Sequence, residues 1–183
     1  MNFYTQKILR LVIAALFAIV SSSAFSAATT FTAPPNLVEI NERITTSGQP
    51  SAEWLDTLKS TGFEAVIYLA PATVGDAVKE EHLIVSRQGL LFINIPIKFD
   101  NPTGLDFEHF AAVMDALAKR KVLVHCQINL RASSMMFLYR TIVRKENPNM
   151  AYESVTKVWV PSGAWKPYIQ GQLKKYQINF EPF

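Results

Sequence analysis

Three short apolar runs recur along the chain: EAVIYLA (residues 64–70), LLFINIPI (90–97) and KVLVH (121–125). Each is too brief for a typical helix and too uniformly apolar for a strand with one wet face, so each suits a strand covered on both sides. The stretches around them carry helical spacing. TGLDFEHFAAVMDALAKR (103–120) places Phe107, Phe110, Met114 and Leu117 in register, and GDAVKEEHLIVSRQG (75–89) reads as the helix before it. PSAEWLDTLKSTG (50–62) starts with Ser51 as an N-cap, sets Trp54, Leu55 and Leu58 on one face and stops at Gly62. ASSMMFLYRTIVRKE (132–146) is apolar around most of its circumference, which makes it a central helix, and two further helices are expected at 149–159 and 164–176. LVEINERITTSG (37–48) alternates like a hairpin around Asn41 and Glu42 and suits a sheet edge. Strands and helices in this alternation predict an α/β fold: a single-domain three-layer sandwich with a mostly parallel central sheet flanked by helices.

The front of the chain reads differently. Lys7 and Arg10 precede the apolar run LVIAALFAIV (11–20), and SSSAFSAA follows with small residues at cleavage-compatible spacing. This is the pattern of a secretory signal peptide, expected to span 1–26, with AATTFTAPPN completing a short linker at 27–36 and the globular domain at 37–183. The run falls well short of the roughly 20 apolar residues that a membrane span needs. The expectation is a periplasmic or secreted protein with no membrane attachment after cleavage. The signal also holds much of the basic excess. Residues 1–26 contain two basic and no acidic residues, so 18 Lys and Arg against 15 Asp and Glu become 16 against 15. A net charge of +1 on the remainder is no electrostatic footprint for nucleic acid.

One cysteine in an exported chain can form no internal disulfide. Cys126 is therefore either an inert buried thiol or one kept for its chemistry. It stands where the KVLVH strand ends and the central helix begins, and in open parallel sheets ligands gather at the carboxyl ends of strands. A helix N-terminus there offers unpaired N–H groups and partial positive charge, which attract anions, and such surroundings favour the thiolate form of a cysteine. Arg131, at the start of the helix, can present a planar fork of donors to an oxyanion.

The residues VHC, followed by Arg131 and Ser133, resemble the signature loop of cysteine-dependent phosphatases of the tyrosine and dual-specificity type. SGQPSAEWLDTLKSTGFEAVIYL (47–69) is similar to the opening of a bacterial branch of that superfamily, also found fused to beta-lactamase-like hydrolases. The resemblance covers residues 37–144 and implies hydrolysis of a phosphomonoester through a cysteinyl phosphate. In it Cys126 is the nucleophile, Arg131 holds the phosphoryl oxygens, and Gln127, Ile128, Asn129 and Leu130 form the rest of the substrate-binding loop. That superfamily's signature has one residue more between cysteine and arginine. The four residues found here match the spacing of rhodanese-type sulfurtransferases, so sulfur transfer through a persulfide stays open, as does a catalytically inactive anion binder. The loop lacks glycine, and Asn129 is its one residue that readily takes a positive φ.

A leaving alkoxide or phenoxide needs a proton, usually from a carboxylic acid. In IKFDNPTGLDFEHF (97–110) the pair Thr103 and Asp106 has capping-box spacing, which leaves Asp100 as the expected acid. The FDNP stretch resembles the acid loop of small dual-specificity phosphatases. His125 is expected to hydrogen-bond backbone groups near the loop and tune the thiol, and Ser133 either donates to the sulfur or caps the helix. Glu80, Glu81 and His82 read as a solvated helix face rather than metal ligands. Trp54, Trp159 and Trp165 read as core before substrate wall. No metal and no cofactor is expected, and the expected partner is a phosphorylated substrate whose class, like the oligomeric state, the sequence leaves open.

Overall fold

The computed structural model describes residues 31–183, and the expected signal peptide and the first part of the linker, residues 27–30, lie outside them. Five strands form one sheet in the order β1-β2-β5-β3-β4: β1 (Val38–Asn41), β2 (Ile44–Ser47), β3 (Ala65–Tyr68), β4 (Leu91–Asn94) and β5 (Val122–His125). The expected edge hairpin is the antiparallel β1–β2 pair, and β2, β5, β3 and β4 run parallel. Asn41 closes the hairpin by accepting from the N–H groups of Arg43 and Ile44.

Side chains alternate across a strand, so each buried strand feeds two cores. On one face Val66 and Leu123 pack with Leu55, Leu58, Ile84 and Val85 from α1 (Ala52–Leu55), the turns after it and α2 (Glu81–Ser86). On the other, Ala65, Ile67, Val122 and Val124 meet α3 (Gly104–Ala116), α4 (Leu130–Leu138), α5 (Pro148–Thr156) and α6 (Trp165–Lys175). Leu55 and Leu58 are fully buried, each stabilising the fold by about 2 kcal/mol relative to exposure. These are the three layers.

The helix ends follow the expected chemistry in two places. Ser51 Oγ accepts from Trp54 N at 3.2 Å, and Thr103 with Asp106 forms a complete capping box on α3. Gly62 ends the first helical segment at φ 84°. α4 is buried along its length and continues as a π-helical segment, Tyr139–Val143.

Two expectations need correction. The helix expected at 75–89 begins only at Glu81, residues 71–80 being turns and bends. LLFINIPI is not a strand covered on both faces: β4 pairs with β3 alone, and Leu91 is 45% exposed, as an edge position permits. Of its buried residues, Leu90 precedes the strand and packs in the other core, while Ile95 and Ile97 follow it and enter the core as the chain turns toward α3.

Candidate active site

β5 has a parallel neighbour on each side, so its carboxyl end opens at the middle of the sheet, with Ser47 and Tyr68 both in register with His125. The main chain is held on both flanks there: Leu69 N donates to His125 O at 2.9 Å, and Cys126 N donates to Ser47 O at 3.2 Å. The loop then folds against the end of β2, where Gln49 N donates to Gln127 O at 2.9 Å. Gly48 fits this approach because a Cβ would come within 2.8 Å of Gln127 O and 3.0 Å of Ile128 Cα.

The turn into α4 is made at Asn129, whose φ of 71° is left-handed. Its Nδ2 donates to Asn36 O at 2.6 Å and Thr46 Oγ1 at 3.1 Å, while Asn36 Nδ2 donates to Ile128 O at 2.9 Å. The end of the stretch read as a linker is thus bonded to the loop. The amides of Gln127, Ile128, Leu130 and Arg131 make no hydrogen bond among the described residues, as befits the start of a helix.

Cys126, Gln127, Ile128, Leu130 and Arg131 line one pocket of about 250 Å³, together with Phe99 and Asp76. Cys126 is wholly buried there, and Phe99 and Ile128 are exposed at the rim. Arg131 is buried but not neutralised by a carboxylate. Its Nε donates to Ile97 O at 3.0 Å, its Nη1 to Gln127 Oε1 at 3.3 Å, and the guanidinium lies 5.0 Å from the centre of the Phe99 ring. Trp165 Nε1 donates to Phe99 O at 2.9 Å, so α6 braces the segment that supports the arginine. A buried cation carried by neutral acceptors and an aromatic face keeps its full charge available to an anion.

Beneath the loop the structure places polar residues that the sequence does not reveal. His125 Nε2 lies 2.6 Å from Glu81 Oε1, both groups buried, at an angle that departs from a hydrogen bond. Gln49 Nε2 donates to the other oxygen of Glu81 at 2.9 Å. Glu81 is therefore not on a solvated face, and the partner of His125 is this carboxylate rather than a backbone group. Tyr68 stacks on the His125 ring at 4.7 Å. Burial first, then the charges of Glu81, Asp76 and Cys126, push its phenol well above the ordinary tyrosine range, with Arg131 opposing.

Of the other expected site residues, Ser133 donates to Leu130 O at 3.3 Å, within its own helix. Asp100 is exposed and is not part of the pocket lining. Asp106 is held by Thr103 through both N–H and hydroxyl at 2.8 Å. Asp76, missed in the sequence, does line the pocket, and its Oδ1 accepts from Gln127 Nε2 at 2.7 Å. Trp165 is fully buried, while Trp54 and Trp159 are only partly so. Among the described residues no group of three or more His, Cys, Asp or Glu is placed to hold a metal, and no helix is long and apolar enough to cross a membrane.

Residues 16–164 match the family described as DSP-PTPase phosphatase fused to NAD+ kinase. A crystal structure from Shewanella putrefaciens CN-32, described as a candidate phosphatase, is 31% identical. It superposes with a TM-score of 0.72 over 78% of this chain and 94% of that one. The core catalytic domain of a PP-IP phosphatase from S. cerevisiae, solved with citrate, shares the fold at 13% identity, covering 82% of this chain and 98% of that one with a TM-score of 0.63. Beta-lactamase hydrolase-like proteins of Xylella fastidiosa are 29% identical over 111 residues, 58% of this chain. The chain spans 25% of the length of those relatives.

Proposed function

The chain belongs to the DSP-PTPase phosphatase family whose members include domains fused to NAD+ kinase, and from that premise we propose that it hydrolyses phosphomonoesters through a cysteinyl phosphate on Cys126. The observation that carries this reading is the placement of Cys126 and Arg131 in one pocket, at the carboxyl end of the central strand, beside amides with no partner among the described residues.

In the proposed reaction Cys126 Sγ attacks phosphorus as a thiolate, and the bond to the ester oxygen breaks as the S–P bond forms. The guanidinium of Arg131 and the loop amides stabilise charge on the non-bridging oxygens. Water then attacks phosphorus, releasing inorganic phosphate and restoring the thiolate. Burial of Arg131 against Ile97 O and Phe99 pre-positions it, so little reorganisation is needed when the anion arrives.

The test is hydrolysis of an aryl phosphate. Cys126→Ser is expected to abolish turnover, and Arg131→Ala to lower it by about 10²-fold or more. Full activity in either variant would remove that residue from the mechanism. The four-residue spacing of the loop favours one other reading, sulfur transfer. A one-sulfur adduct on Cys126 after thiosulfate exposure, seen by intact-mass spectrometry without phosphatase turnover, would establish that chemistry instead.

Export completes the proposal. Lys7, Arg10 and the run LVIAALFAIV support it. N-terminal sequencing of protein recovered from the periplasm or medium is expected to begin near Ala27, and an intact Met1 there would refute cleavage.

A further inference from the structure

A second cavity, of about 200 Å³, opens at the opposite end of the sheet, where β2 and β5 begin. The β1–β2 turn, the end of α3 with the turn after it, and the π-helical segment with its following turn enclose it. Four arginines line it, Arg43, Arg120, Arg140 and Arg144, against a single carboxylate, Glu146. Val122 is in its wall, and Cys126 follows four residues along the chain, so roughly 13 Å of extended strand separates this place from the thiol.

The arginines differ in what already holds them. Arg140 is engaged by Glu146, which accepts from its Nε at 2.8 Å and lies 2.7 Å from its Nη2. Its Nη1 donates to Ala151 O and Ser154 Oγ, both at 3.3 Å. Arg120 has only Glu64, at 3.6 Å between two well-exposed side chains, a pairing that contributes little. Arg43 and Arg144 pair with no carboxylate among the described residues. Arg43 is nonetheless fixed in place: its carbonyl accepts from Val122 N at 2.7 Å, and its Nη1 donates to Ala118 O. The rest of its fork takes no partner among the described residues.

The π-helical segment completes the wall. Arg144 N donates to Tyr139 O, five residues back, at 3.1 Å. In a regular α-helix residues five apart stand roughly 140° around the axis from one another. The wider turn brings Tyr139, Arg140 and Arg144 onto the same cavity, and such interruptions of a helix are frequent at functional sites.

We propose that this cavity is a binding site for a small anion carrying two linked phosphoryl groups, held by the guanidinium forks of Arg43, Arg120 and Arg144. A planar fork meets phosphoryl oxygens with two parallel donors. A single phosphate carries about −1.5 to −2 charge at neutral pH, too little for three cations, whereas two linked groups match them. The size of the enclosure suits a small molecule rather than an extended polymer. The site makes no use of Cys126 and stands apart from the phosphatase reading.

The test is calorimetric titration with pyrophosphate of the full chain carrying Arg131→Ala, which removes the cation of the Cys126 pocket. One-to-one binding is expected. Adding Arg43→Gln or Arg144→Gln to that chain is expected to raise Kd by about tenfold each, as loss of a charge-assisted contact predicts. Lys59→Gln removes an exposed cation outside the cavity and is expected to leave Kd unchanged. Orthophosphate is expected to bind about tenfold more weakly than pyrophosphate, having fewer oxygens to share among the forks. No binding in the Arg131→Ala chain, or binding that neither cavity arginine affects, would overturn the site. An equal loss in Lys59→Gln would do the same, reducing the effect to general charge attraction, and orthophosphate binding as tightly as pyrophosphate would overturn the ligand class. Thermal melts accompany each variant. Arg144 makes no side-chain hydrogen bond among the described residues, so Arg144→Gln decides the matter even where Arg43→Gln, having lost its bond to Ala118, melts early.

Discussion

Asn129 carries two burdens that pull its substitution in different directions. The backbone needs a residue tolerant of φ 71°, and the side chain bonds Asn36 and Thr46. Replacement by Gly or Ala removes the side-chain bonds equally, but Ala alone meets the steric cost of the left-handed region, about 1–2 kcal/mol, against the 0.5–1 kcal/mol that Gly gives up in chain entropy. Asn129→Ala is therefore expected to be less stable than Asn129→Gly by about 1 kcal/mol, read from urea midpoints. Coincident midpoints would mean that the loop relaxes out of this conformation. The need for Asn129 was visible in the sequence because a loop without glycine leaves one tolerant residue. Glu81 was not: its burial depends on His125, distant in sequence, and a helical register counted from residue 75 misassigns every face of a helix that starts at 81. With His125 left facing an apolar replacement, Glu81→Leu is expected to lose about 2 kcal/mol, the cost of leaving buried polar groups without a partner. The same substitution made in His125→Phe should cost clearly less, and equal costs in the two backgrounds would show that the contact contributes nothing.

At the scale of elements, the site depends on the end of β2 approaching the β5–α4 loop more closely than side chains allow. A methyl group at position 48 would meet backbone on both the Gln127 and Ile128 sides, and Pro35 Cβ at 3.0 Å as well. Neither backbone contact can swing aside like a flexible side chain, so Gly48→Ala is expected to displace the loop that carries Cys126. Turnover on an aryl phosphate should fall by about tenfold or more, since small misplacements of reacting groups cost that much or worse. Unchanged turnover would show that the loop tolerates the shift. The strands around this contact were legible because buried parallel strands are continuous apolar runs and the hairpin alternates. The edge position of β4 was not, because LLFINIPI is as apolar as a central strand. Strand order depends on crossovers that periodicity does not encode, and the burial of Ile95 and Ile97 comes from the turn toward α3 rather than from the sheet. The loop at 71–80, which brings Asp76 to the pocket, was hidden for a related reason: its spacing of Val74, Ala77 and Val78 imitates a helix, though those residues pack on the core from turns.

Across the whole molecule, four phenols couple stability to alkaline pH. Tyr68, Tyr168, Tyr139 and Tyr152 are all raised above the ordinary value of 10.0, with burial the largest cause in each. Tyr139 is pushed up to about 12, helped by its hydroxyl donating to Asp115 Oδ1 at 2.8 Å across to α3. The phenol is neutral in both folded and unfolded chains below pH 10, so its contribution is fully present there. Between about pH 10 and 12 the unfolded chain loses the proton first, the folded state binds more protons, and stability falls with rising pH. Urea midpoints are therefore expected to be level approaching pH 10 and to drop steadily above it. Tyr139→Phe removes one of the four titrations, so its loss between pH 10 and 12 should be shallower than that of the wild type. It begins from a state about 1 kcal/mol less stable, because Asp115 has lost a donor. Parallel curves for the two proteins would mean that Tyr139 titrates alike folded and unfolded, and that the tie between the π-helical segment and α3 does not hold the phenol in its neutral form.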